Sequence, residues 1–229
     1  MHRKQESALG ARIWAALLSF GLIGQVAWVV ENMYFNVFLY NTITGDTGMI
    51  AAMVAASAVV AAVTTLAVGA LSDKLGVRKP IIVTGYLLWG VSVMAFALVR
   101  TSGLEALVGP ARAAQAGAVL VIVLDCVMTF FGSSANDAAF NAWVTDVTDD
   151  GNRGRVESVL AAMPLVAMLV VFGALDGLTA RGHWGLFFLI VGGLTILGGG
   201  LGRVLIQEPA SLRRAEGNYL GNILYGLRP

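Results

Sequence analysis

The chain has 229 residues, 57% of them apolar and only 13% charged, with a mean hydropathy of +0.77. A soluble domain is about a quarter charged, so an ordinary cytosolic enzyme, a disordered chain and a fibre are all excluded, and a polytopic helical membrane protein remains. The net charge of +1 matters less than where its cations lie. Cys126 is the single cysteine and the two histidines are His2 and His183. No internal disulfide, metal centre or cofactor is therefore expected.

Six apolar runs, at 13–40, 48–71, 81–99, 114–140, 157–178 and 184–206, each approach the ~20 residues needed to cross a bilayer. They do not alternate as barrel strands would, so the expected fold is an all-α membrane protein of six transmembrane helices. A leader over 1–12 precedes the bundle at 13–206, and a tail or linker covers 207–229. The first run is too long for a signal-peptide core and lacks a cleavage site, so it reads as a retained helix.

Along the first run, 100° per residue sets Gln25, Asn32 and Asn36 within about 20° of one line. Trp28 and Tyr40 flank that line, and Glu31 points roughly 120° away. Such a stripe suits a hydrophilic solute, with an acid at its margin. The plainer alternative is that these amides bond to neighbouring helices. The second run, AAMVAASAVVAAVTTLAVGA, is rich in small residues and reads first as a packing surface.

Between the second and third runs lies Gly69-Ala-Leu71-Ser-Asp73-Lys74-Leu-Gly76-Val-Arg78-Lys79-Pro80. Gly69 permits tight helix contact and Gly76 a sharp turn. Asp73 can cap the next helix or pair with a base, and Lys74, Arg78 and Lys79 suit an anionic leaflet.

The fourth run carries Asp125, Thr129, Gly132 and Asn136 on one face, within about 40°. Asp125 stands some 17 Å into its span at 1.5 Å per residue, near mid-membrane. A carboxylate there must be protonated, paired or ion-bound, as a coupling site requires. Asp137, twelve residues on, is expected at the inner mouth as a gate or packing contact. Asp176 sits near the end of the fifth run, close to Arg181, where interfacial solvation accounts for it. The sixth run contains GGLTILGGGLG, a packing surface, and its Gly198 and Gly202 form a GxxxG pair of the kind found at dimer faces. The tail mixes charges with Leu, Ile and Tyr and reads as an amphipathic helix or a linker.

With the N-terminus inside, twelve lysines and arginines fall on inner segments and three, Arg100, Arg112 and Arg181, on outer loops. That bias places both termini in the cytoplasm of a multi-pass protein of the inner cell membrane. No HExxH, GxSxG or paired-aspartate motif is present, nor a nucleotide-phosphate loop. An enzyme is therefore not expected, and energy would come from a gradient. The basic residues are topological, so nucleic acid is not a partner.

The Gly69–Pro80 stretch resembles the signature loop of the major facilitator superfamily, G-x-L-x-D-[RK]-x-G-x-[RK]-[RK], at every defining position. That resemblance implies a secondary transporter built from two inverted three-helix repeats. Gly69-Ala-Leu71 and Gly173-Ala-Leu175-Asp176 echo one another at matching places in the two. It further implies that Gly69, Asp73, Lys74, Gly76, Arg78 and Lys79 brace a gate. A stretch from Asn136-Asp137-Ala-Ala-Phe140-Asn141-Ala-Trp143 to Arg153 is similar to the glycoside–pentoside–hexuronide cation symporters, although the second run lacks the acids of their cation site.

The expected function is thus a secondary transporter, or its N-terminal half, moving a small polar solute such as a sugar. The alternative is a non-transporting scaffold. Gln25, Trp28, Asn32, Asn36, Thr129 and Asn136 would contact the solute, with Asp125 and Glu31 coupling it to protons. The expected partners are membrane lipid, the solute, and a C-terminal six-helix half or a second copy. A truncated, split or natively half-size chain would all fit.

Overall fold

The computed structural model describes residues 9–208; most of the leader, with Arg3 and Lys4, and the tail from residue 209, with Arg213, Arg214 and Arg228, lie outside the described residues. Every regular element among the described residues is helical. Six helices are long and apolar enough to cross a membrane: α1 (Ala11–Ile43), α2 (Thr47–Leu75), α3 (Lys79–Leu98), α4 (Pro110–Val147), α5 (Arg153–Ala174) and α6 (Trp184–Leu205). They make the chain a multi-pass membrane protein. Two short helices, Thr101–Val108 and Asp176–Ala180, precede α4 and α6.

Helices outrun the apolar segments that announce them. α2 continues to Leu75 and α4 to Val147, because apolarity marks depth in lipid while the hydrogen-bond ladder can continue into water. Asp73 and Lys74 thus lie on the last turn of α2. Gly76 ends that helix in the left-handed conformation, φ 64° and ψ 42°, which a side chain would strain. Its N–H bonds back to the Ser72 carbonyl at 2.9 Å.

Lipid is as apolar as leucine, so helices in it associate through close packing rather than expulsion of water. The broadest contact is between α3 and α6, and glycine sets its distance. A Cβ on Gly90 would lie 2.5 Å from the Gly192 carbonyl oxygen, and one on Gly192 2.6 Å from that of Gly90. The GxxxG pair packs within the chain, Gly198 on Ile23 and Tyr86 and Gly202 on Phe20 and Val83. Gly69 does not serve close packing here, for nothing lies within 4 Å of a Cβ built on it. Gly90→Ala should therefore cost about 1–3 kcal/mol by forcing α3 from α6. Gly69→Ala should be neutral or stabilise by up to about 1 kcal/mol. Thermal melting of both variants in detergent checks the contrast, and equal losses would refute it.

The start of α1, the α2–α3 turn and the ends of α4 and α6 meet at one end of the bundle. Arg12 donates to the Leu205 carbonyl at 3.2 Å and to that of Val204, and Lys79 Nζ to the Arg203 carbonyl at 2.8 Å. Both cations cap the last, unpaired carbonyls of α6. At the opposite end Phe35, Phe38, Phe96, Phe187 and Phe188 form an aromatic cluster. Nearby, Asp176 accepts a hydrogen bond from the Tyr34 hydroxyl at 2.9 Å, so a buried partner joins the interfacial solvation expected for it.

α2 and α5 remain largely uncovered. Only 11% and 17% of their apolar stretches are buried, against 44–56% in the other four.

Candidate functional site

α1 and α4 depart from α-helical winding where their polar residues lie. Val30–Phe35 and Leu39–Ile43 of α1, and Ser133–Phe140 of α4, are π-helical. A π turn takes in more residues than an α turn, so each residue rotates the chain by less than 100°. Side chains that a uniform helical wheel separates can then share a face.

The consequence is a cavity of about 290 Å³ between α1, α2 and α4. α1 supplies Trp28, Glu31, Asn32 and Asn36, α4 supplies Asp125 and Asp137, and α2 supplies Ser57 and the apolar remainder. Three acids therefore line one space. Asp137 belongs to this wall. Its depth, twelve residues beyond Asp125, sets it at a mouth in the sequence reading; it lies inside the π segment Ser133–Phe140 and lines the same cavity as Asp125. Glu31, the acid at the margin of the stripe, also lines this space.

The side chains are held by specific bonds. Asn32 donates to the Trp28 carbonyl and Asn36 to the Asn32 carbonyl, both at 2.8 Å. These amides bond back to their own helix rather than to neighbours. Thr129, fully buried, donates to Glu31 Oε1 at 2.7 Å. Asn136 accepts from the Tyr86 hydroxyl at 2.9 Å and donates to Asp137 Oδ1 at 3.2 Å. Thr129 and Asn136 thus stand behind the wall and orient its acids instead of lining it. Gln25 shares the angular face of Asn32 but lies seven residues, about 10 Å, nearer the α2–α3 turn, and it does not line the cavity. Ser57, which lines the cavity with Asp125, is the contribution the sequence reading missed. A lone serine in a run of Ala and Val was its signal.

A second polar cluster lies at the α2–α3 turn. Arg78, only 5% exposed, pairs with Asp73 at 2.6 Å and with Asp146 of α4 at 2.8 Å. It also donates to the Ser72 hydroxyl at 2.6 Å. Burial alone would ease loss of its proton, but the bonds and charges of Asp146 and Asp73 prevail and hold its pKa above the ordinary value. Glu208, just beyond α6, caps the start of α3, accepting from the backbone N–H groups of Arg78 at 2.9 Å and Lys79 at 2.8 Å. A carboxylate there complements the positive end of the helix. Among the resembling residues, then, Asp73, Gly76, Arg78 and Lys79 join one network, while Gly69 does not. Asp146 and Glu208 complete it from distant parts of the chain.

The family model described as Major Facilitator Superfamily matches residues 13–220. It singles out no branch, so the likeness to the glycoside–pentoside–hexuronide symporters gains no support from it. No curated protein and no solved structure matches the chain significantly.

Proposed function

The chain belongs to the major facilitator superfamily, a family of membrane transporters, and on that premise we propose that its cavity between α1, α2 and α4 binds a small polar solute. The observation that carries this reading is the joint placement of Glu31, Asp125, Asp137, Asn32 and Asn36 around one space. Acids at membrane depth are costly and mark solute or ion pathways by default, and a scaffold needs none of them. Transport is coupled to protons through Asp125, which is 2% exposed and has one oxygen without a partner. Glu31 and Asp137 share its space.

A sugar, the solute expected from resemblance, would place its ring against Trp28 and its hydroxyls on the amides and acids. The pathway is completed by a second six-helix bundle, a C-terminal half or another copy, lying against the exposed faces of α2 and α5. The orientation is N-terminus inside, in the inner cell membrane, and the Arg78 network closes the cytoplasmic gate.

Residues 1–229 reconstituted in liposomes, alone and with any bundle that co-purifies, test this reading. The assay is uptake of a panel of sugars and small amines under an imposed pH gradient, with mass measured in detergent. The expected result is uptake by an assembly of two bundles, abolished by a protonophore. An assembly that moves no member of the panel would refute it, and a stable, transporting monomer would refute the two-bundle pathway.

A further inference from the structure

We infer that the cavity of Glu31, Asp125 and Asp137 is built for a small organic cation carrying a primary ammonium group. The inference rests on the reading that this cavity holds the solute, and it comes from the hydrogen-bonding character of the wall. Three buried atoms of the lining lack a partner: Glu31 Oε2, Asp125 Oδ1 and Asn36 Oδ1. All three are acceptors. The side-chain donors beside them are engaged, Asn32 and Asn36 on their own helix and the Thr129 hydroxyl on Glu31. The Ser57 hydroxyl contacts the Val54 carbonyl at 3.3 Å. Glu31 and Asp125 are only 9% and 2% exposed, so a ligand in the cavity can take the place of the little water that reaches them. A ligand that fits must bring donors and need few acceptors, and an ammonium group has three donors and no acceptor.

Charge points the same way. The wall holds three acids and no base; every lysine and arginine among the described residues sits at a helix end or in a connection. A bare metal ion fits less well, because no group of three or more acidic, histidine or cysteine side chains among the described residues is close enough to hold one. The acids instead line an extended volume of about 290 Å³ together with Trp28, room enough for an organic group beside the ammonium. A neutral sugar could donate its hydroxyl hydrogens to these acceptors but carries no charge to balance the carboxylates, and its own oxygens would find few free donors.

The test is binding of tyramine, of its neutral isostere tyrosol, and of glucose to residues 1–229 in lipid nanodiscs, read by tryptophan fluorescence and calorimetry. Tyramine and tyrosol differ at one position, an ammonium in place of a hydroxyl. Tyramine is expected to bind at least tenfold more tightly than either neutral probe, the scale of charge-assisted hydrogen bonds. Glu31→Gln and Asp125→Asn should each erase that preference while melting as the parent does. Equal or tighter binding of tyrosol or glucose overturns the cation and leaves the solute cavity standing. Failure of all three probes to bind folded protein also overturns it, as does a tyramine preference that survives in both variants. Whether the cavity meets water at all is read separately, by thiol labelling at Ala58→Cys, so that the two readings fail independently.

Discussion

Asp125→Asn should collapse gradient-driven accumulation by the assembled transporter to equilibration, while solute exchange across equal concentrations is retained once the solute is raised enough to offset the variant's weaker binding. One proton per solute under a two-unit pH gradient supports about a hundredfold concentration ratio, so the expected ratio falls from as much as ~100 to ~1. The amide keeps the shape of the side chain and its place in the cavity wall, but it cannot take up or release a proton. Asp125 is suited to the part by burial, by its unpartnered oxygen and by its position in the same wall as Asn32 and Asn36. Counterflow and net uptake of whichever probe the binding assay selects, measured in the same proteoliposomes, separate the two activities. Undiminished accumulation by the variant would remove Asp125 from coupling and leave Glu31 or Asp137 to be tried.

Arg78→Ala should destabilise the bundle by about 3 kcal/mol, at the lower end of what losing one member of a buried ion pair costs. The lower end applies because Asp73 is half exposed, whereas Asp146 is largely covered. Removing the guanidinium leaves Asp146 and the Ser72 hydroxyl without their donors and cuts the tie between the α2–α3 turn and α4. Arg78→Lys should recover less than half of the loss, since an ammonium cannot reproduce a planar fork that reaches Ser72, Asp73 and Asp146 together. Asp146→Ala combined with Arg78→Ala should lose less than the sum of the single variants, the mark of direct coupling. Denaturation in mixed micelles gives the four values; strict additivity would show that the pair contributes nothing.

The six spans were legible because lipid imposes one requirement on every crossing helix, a long apolar stretch. The Gly69–Pro80 motif was legible because a left-handed glycine and flanking charges sit at fixed offsets in it. The composition of the cavity was legible in part. Trp28, Asn32, Asn36 and Asp125 are found in its wall, whereas Gln25, Thr129 and Asn136 are not. Angular position alone misled for Gln25, because it ignores distance along the axis. Depth alone misled for Asp137, which was set at a mouth but lines the same cavity as Asp125, and π segments at Glu31 and Asp137 break the uniform winding that a helical wheel assumes. The contacts of Arg78 with Asp146 and of Glu208 with the start of α3 cross 68 and about 130 positions of sequence; periodicity carries no information at that range. Likewise Ser57 becomes a wall residue only once α2 lies across α1 and α4.

The central claim is that the space lined by Glu31, Asp125 and Asp137 is a water-filled solute site rather than a lipid-facing cleft. The direct measurement is labelling of single cysteines by a membrane-impermeant thiol reagent, in a Cys126→Ala background reconstituted in bilayers. Ala58→Cys and Ala61→Cys place the thiol in the cavity wall, and Leu197→Cys places it on an exposed apolar face of α6. A thiol reacts as its thiolate, which forms in water and not in hydrocarbon. The account predicts labelling at positions 58 and 61, slowed by a bound solute, and none at 197. Protection of 58 and 61 to the same degree as 197 would contradict it.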